Sequence, residues 1–150
     1  VIAPFQFWDR FRYRNRNLHR LMGVIFVIAS VVALLTALVI AYVVPYSGRG
    51  EFIFVCFVAV PFLYFLFRAV YFIKKKNRLE HRRNMMRVVA IGLSVVTQRT
   101  VYTNIDLFFP NSEPRNMFLM ITILAFFVNL GGLELYLRFS RNSKLARNQK

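Results

Sequence analysis

Residues 74–87, KKKNRLEHRRNMMR, carry seven Lys or Arg against one Glu and separate two long apolar runs. A Lys or Arg at the centre of a bilayer costs about 2.5–3.5 kcal/mol on insertion scales. A block this charged therefore stays at an aqueous face while the runs on either side enter lipid. The composition agrees, because 57% of the 150 residues are apolar, above the usual share for a soluble domain.

On the N-terminal side of the block, residues 52–73 form an apolar span rich in Phe, with Arg68 near its inner end and Pro61 in the middle. Loss of a backbone bond at that proline predicts a kink. The connector before it, residues 47–51, is neutral, with Arg49 against Glu51. It is short enough to make the flanking helices antiparallel.

Residues 21–46 hold no charge over 26 positions. At 1.5 Å per residue such a helix is about 39 Å long, more than the roughly 30 Å of a hydrocarbon core, so it spans with tilt. Ala29, Ala33, Ala37 and Ala41 recur every fourth residue along it, a stripe of small side chains that predicts a helix-packing face. Residues 1–20 alternate Phe7, Trp8, Phe11 and Tyr13 with Arg10, Arg12, Arg14 and Arg16. They read either as an arm lying on the membrane surface or as an ordinary positive flank.

On the C-terminal side, residues 88–109 are ambiguous because VVAIGLSVV is followed by Arg99 and Asp106. Charge placement decides the reading. Residues 10–20, 74–87 and 138–150 hold 17 of the 21 Lys and Arg, while the connectors 47–51 and 110–116 are neutral. Only if residues 88–109 cross do all three basic blocks fall on one side, as the positive-inside rule requires. With residues 117–138 as a further span and 139–150 as a basic tail, the expectation is a single all-α membrane domain. It has four transmembrane helices arranged as two antiparallel hairpins, with both termini on the basic side.

The formal charge of +15 does not indicate nucleic acid, since the charges cluster beside spans. Cys56 is the single cysteine and excludes an internal disulfide. His19 and His81 lie in basic flanks, so neither a metal set nor a haem axial ligand is expected within the membrane. No nucleophile stands beside a base and no carboxylates pair at mid-depth, so the expectation is a protein without catalytic activity or cofactor.

Polar residues within spans are functional candidates by default. Counted from the inner boundary, Arg68 and Glu134 share a depth of roughly 6–8 Å, which predicts an ion pair unless Arg68 snorkels alone to the surface. Arg99 and Asn129 share a depth of roughly 13–17 Å, which suggests a charged hydrogen bond. Alternatively, Arg99 meets a lipid phosphate, a neighbouring subunit or a water-filled cavity. Lys74, Lys75, Lys76, Arg82, Arg83 and Arg87 are the expected contacts for anionic lipid, and cardiolipin fits basic pockets between helices.

The run Met86-Arg87-Val88-Val89-Ala90-Ile91-Gly92, following a helix and a basic loop with His81, resembles the hypoxia-induced-gene domain of respiratory supercomplex factors. The likeness covers at most residues 52–109, and Ile91 stands where that family usually has Gln. What the resemblance implies is an accessory or assembly factor of cytochrome c oxidase or a supercomplex in the mitochondrial inner membrane, termini in the matrix. A removed Arg-rich targeting peptide before Val1 would suit that location. A transporter or channel component, or a membrane subunit of the ATP synthase, is the alternative.

Overall fold

The computed structural model describes residues 16–104 and 114–147. They form four helices: α1, Arg16–Val43; α2, Arg49–Lys74; α3, Arg78–Thr103; and α4, Pro114–Arg147. The protein is an all-α membrane protein. Three stretches, Asn17–Val43, Arg49–Lys74 and Met117–Ser140, are long and apolar enough to cross a membrane.

Local chemistry sets the helix ends. α1 stops at Val43, two residues before Pro45, because a residue preceding proline is pushed out of the helical region. Gly48 then turns the chain at φ 81°, a left-handed conformation that glycine adopts without steric cost. The Ser47 amide donates to Glu51 Oε2 at 2.9 Å, which ties the turn to the first turn of α2. α2 continues unbroken through Pro61 to Lys74.

The expected inner loop is largely helical. Lys76 adopts φ 60°, Asn77 Oδ1 accepts from the Glu80 amide at 3.2 Å, and α3 begins at Arg78. A side-chain N-cap followed three residues later by Glu is a strong helix start, and Arg, Leu, Glu and Met all favour the helical state. The turn therefore shrinks to residues 75–77. α3 reaches Thr103, while residues 105–109 lie outside the described residues. α4 runs past the expected boundary at Arg138 to Arg147, so most of the basic tail is helix.

Cross-helix pairs fix the topology. His81 lies against Ala69 and Arg87 against Phe65, so α2 and α3 run antiparallel. Arg87 meets Glu134, Thr97 meets Asn129 and Tyr102 meets Phe118, so α3 and α4 do too. Tyr42 packs edge-on against Phe52 at the α1–α2 turn. α3 packs extensively on both α2 and α4, whereas α1 leans on α2.

The centre is thus α3, the least apolar helix of the four. Ala59 and Ala69 of α2, Ala90 of α3 and Ala125 of α4 are buried, and such small residues let the helices approach closely where lipid provides no hydrophobic drive between them. Leu66, Val88, Ile91 and Phe126 fill the remaining interior.

The alanine stripe of α1 plays a smaller part within the chain than expected. Ala41 is 2% exposed, but Ala29, Ala33 and Ala37 are exposed. Among the described residues the stripe is buried at its C-terminal end alone.

Candidate functional site

α3 carries a buried line of polar side chains at helical spacing. Asn84 (1% exposed), Ser94 and Gln98 (4%) share the inward face with Val88 and Ile91, and Arg87 lies beside them. Positions three, four or seven apart lie on one face of a helix. The polar line therefore runs along the packed side of α3, with Val88 and Ile91 as an apolar interruption.

The strongest contact is Arg87 with Glu134. Nε donates to Oε1 at 2.5 Å and a terminal nitrogen donates to Oε2 at 3.2 Å. This two-pronged match suits a planar guanidinium and a carboxylate. The guanidinium also lies 5.2 Å from the centroid of Phe65, so α2 contributes an aromatic face to the pair.

Glu134 therefore pairs with Arg87 rather than with the expected Arg68. The cause is the early start of α3, which carries Arg87 about 13 Å along the helix from Arg78 and brings it level with Glu134. Arg87 is correspondingly half-buried, with its guanidinium engaged by Glu134. Arg68 instead donates to the Tyr64 hydroxyl at 2.6 Å and lies over the Tyr64 and Phe72 rings.

Asn129 donates to Thr97 Oγ1 at 3.0 Å and to the Ala125 carbonyl at 2.8 Å, so its interhelical partner is Thr97 rather than Arg99. Arg99 is exposed and sits four residues, or about 6 Å, from the end of α3, not at its middle. Among the described residues its guanidinium has no hydrogen-bond or ion-pair partner.

Of the remaining basic residues, Lys74, Lys75 and Lys76 are exposed, and Lys75 Nζ lies 4.7 Å from the Tyr71 ring centroid. Arg83 pairs with Glu80 at 2.6 Å, and Arg82 is half-buried. His81 Nδ1 is 2.8 Å from the Ala69 carbonyl oxygen, which reads as a neutral or charged donor tying α3 to α2. Of the expected arm at residues 1–20, residues 1–15 lie outside the described residues and residues 16–20 are the first turns of α1.

Gln98, Ser94 and Thr97 were not singled out by the sequence reading. Asn84 Nδ2 donates to the Glu80 carbonyl, and Ser94 Oγ donates to the Ile91 carbonyl. Asn84 Oδ1 and Gln98 Nε2 are buried without a partner among the described residues. The available signal was their spacing of 84, 87, 91, 94 and 98, a helical repeat of mostly polar residues that begins inside the basic block. Among the described residues no three of His, Cys, Asp and Glu gather as a metal set.

Long apolar helices around a shielded polar one define an integral membrane protein of the helical-bundle class. The chain belongs to the family described as predicted membrane protein (DUF2306), whose model matches residues 1–137. This is a different family from the hypoxia-induced-gene domain to which residues 52–109 bear the partial likeness. No curated protein and no solved structure matches the chain.

Proposed function

We propose that the protein is a non-catalytic accessory subunit or assembly factor of a larger membrane complex. Following the resemblance in residues 52–109, that complex is cytochrome c oxidase or a respiratory supercomplex of the mitochondrial inner membrane. The observation that carries the scaffolding reading is the division of labour among the helices. α2, α3 and α4 pack around one another, while α1 has its alanines 29, 33 and 37 facing away from them. A helix of a neighbouring subunit fits that face, because small side chains permit close backbone approach.

In this reading α3 is a fourth crossing. Its polar face is sheltered by α2 and α4, which removes the cost that makes it look a poor span by hydropathy. Lys74, Lys75, Lys76 and Arg138 then lie at the matrix end with both termini, where they meet anionic headgroups such as cardiolipin. The test is a native gel of the mildly solubilised membrane, with mass spectrometry of the band that holds this chain. Co-migration with a respiratory assembly supports the proposal. Migration with the ATP synthase keeps the scaffold and discards the respiratory assignment, and migration alone overturns both.

A second reading, a transport component, is favoured by the polar line of Asn84, Ser94 and Gln98 in the bundle interior. Solute or proton flux in liposomes that vanishes in Gln98→Leu supports it. A scaffold gives no flux in either form.

A further inference from the structure

Arg68 stands apart from the other polar groups of the bundle. It is on α2, six residues from the helix end at Lys74, or about 9 Å along the axis. Its side chain is half-buried, held between two rings on its own helix, with the guanidinium carbon 5.4 Å from the Tyr64 centroid and 5.2 Å from that of Phe72. One nitrogen donates to the Tyr64 hydroxyl. The carboxylate that sequence depth assigns to it, Glu134, is taken by Arg87. Among the described residues no acid lies within ion-pair distance of Arg68.

A guanidinium has five N–H donors in a fixed fork, and the Tyr64 bond uses one. The rings hold the side chain in place, so the remaining donors are presented without much further loss of rotamer freedom. A planar fork of this kind matches an oxyanion with two parallel acceptors, a phosphate or a carboxylate.

The surroundings choose between them. Tyr64, Phe67 and Tyr71 are 52, 68 and 50% exposed on a helix long and apolar enough to span, so this side of α2 is lined by aromatic groups that suit acyl chains. Tyr64, Arg68, Tyr71 and Lys75 follow one another at spacings of four, three and four residues. They make one stripe on the helix, aromatic, cation, aromatic, cation, that ends at exposed lysines 74–76. A ligand that fits has an acyl portion along the aromatics, a phosphate at Arg68 and a further negative charge near Lys75.

We propose that the Tyr64–Arg68–Phe72 clamp is a binding site for one anionic phospholipid, with the phosphate on the Arg68 fork and the headgroup charge toward Lys75. This deepens the lipid contacts of the scaffolding proposal and rests on α2 being a span. It does not need the partner complex, so the experiment uses the purified full-length chain.

Native mass spectrometry of that chain, exchanged against phosphatidylglycerol, cardiolipin or phosphatidylcholine, reads retained lipid directly. One anionic lipid per chain is expected to survive at collision energies that strip phosphatidylcholine. Arg68→Gln is expected to lower its retention about tenfold, the loss of a charge-assisted hydrogen-bond pair. Arg68→Lys, which keeps the charge but not the fork, falls between, and Arg99→Gln leaves retention unchanged. Inorganic phosphate at millimolar concentration does not displace the lipid, because it brings no acyl chains. Circular dichroism of each variant checks that the helices persist, and the lysine variant carries the comparison if glutamine unfolds the chain. Equal retention of phosphatidylcholine, full retention in Arg68→Gln, an equal loss in Arg99→Gln, or displacement by free phosphate each overturns the site. A failed native-gel experiment would leave this one untouched.

Discussion

Arg87 of α3 and Glu134 of α4 meet through two hydrogen bonds of 2.5 and 3.2 Å beneath the ring of Phe65, so one contact joins three helices. The two side chains retain 21 and 37% of their exposure, which admits some solvent screening. The pair is therefore worth less than a fully buried one, about 1–2 kcal/mol.

Glu134→Leu and Arg87→Leu each leave the other charge without its partner and should lower the unfolding temperature in detergent. The double variant Arg87→Leu with Glu134→Leu should lose less than the sum of the two, with a coupling of about 1–2 kcal/mol. Additive losses would show that the pair contributes nothing as a pair.

The Asn129 to Thr97 bond should be weaker. Interhelical hydrogen bonds in membrane bundles average about 0.6 kcal/mol, and Asn129 also bonds the Ala125 carbonyl on its own helix. Thr97→Val should therefore cost about 0.5 kcal/mol in the same unfolding assay. A loss several times larger would place further groups on that threonine.

Gln98 presents the opposite case, a buried amide whose Nε2 has no partner among the described residues. An unpaired buried donor costs about 1–3 kcal/mol, so Gln98→Met should raise stability or leave it unchanged. The unfolding midpoint decides this, and a clear fall would mean that the amide is bonded.

The alanines of α1 separate internal packing from external docking. Ala41 is closed in against the chain, so Ala41→Leu should cost about 1–3 kcal/mol by overpacking. Ala33→Leu should leave the isolated chain as stable as before and weaken its association on a native gel. A destabilised Ala33→Leu monomer would remove the distinction.

Apolar length made α1, α2 and α4 legible in the sequence, and Pro45 with SGRGE marked the first turn. α3 is harder, because hydropathy measures the cost of a helix wholly in lipid, whereas the polar face of α3 packs on α2 and α4. Its Asn77 cap was hidden inside a block read as a loop. That single boundary has consequences for the site: a helix starting at Val88 leaves Arg87 outside it and puts Arg99 at mid-span, whereas the helix from Arg78 to Thr103 includes Arg87 and places Arg99 near its end. The small-residue stripe is visible on α1, but the alanines that pack the bundle, 59, 69, 90 and 125, are scattered over three helices and only their three-dimensional neighbours reveal them.

The outward face of α1, with Ala29, Ala33 and Ala37 exposed, is the surface proposed to meet another membrane protein. A photoactivatable residue at position 33, irradiated in the native membrane with the same residue at position 41 as control, measures this directly. Position 33 is expected to capture one polypeptide of a larger membrane assembly, while position 41 gives links within this chain. Capture of lipid alone from position 33 would contradict it.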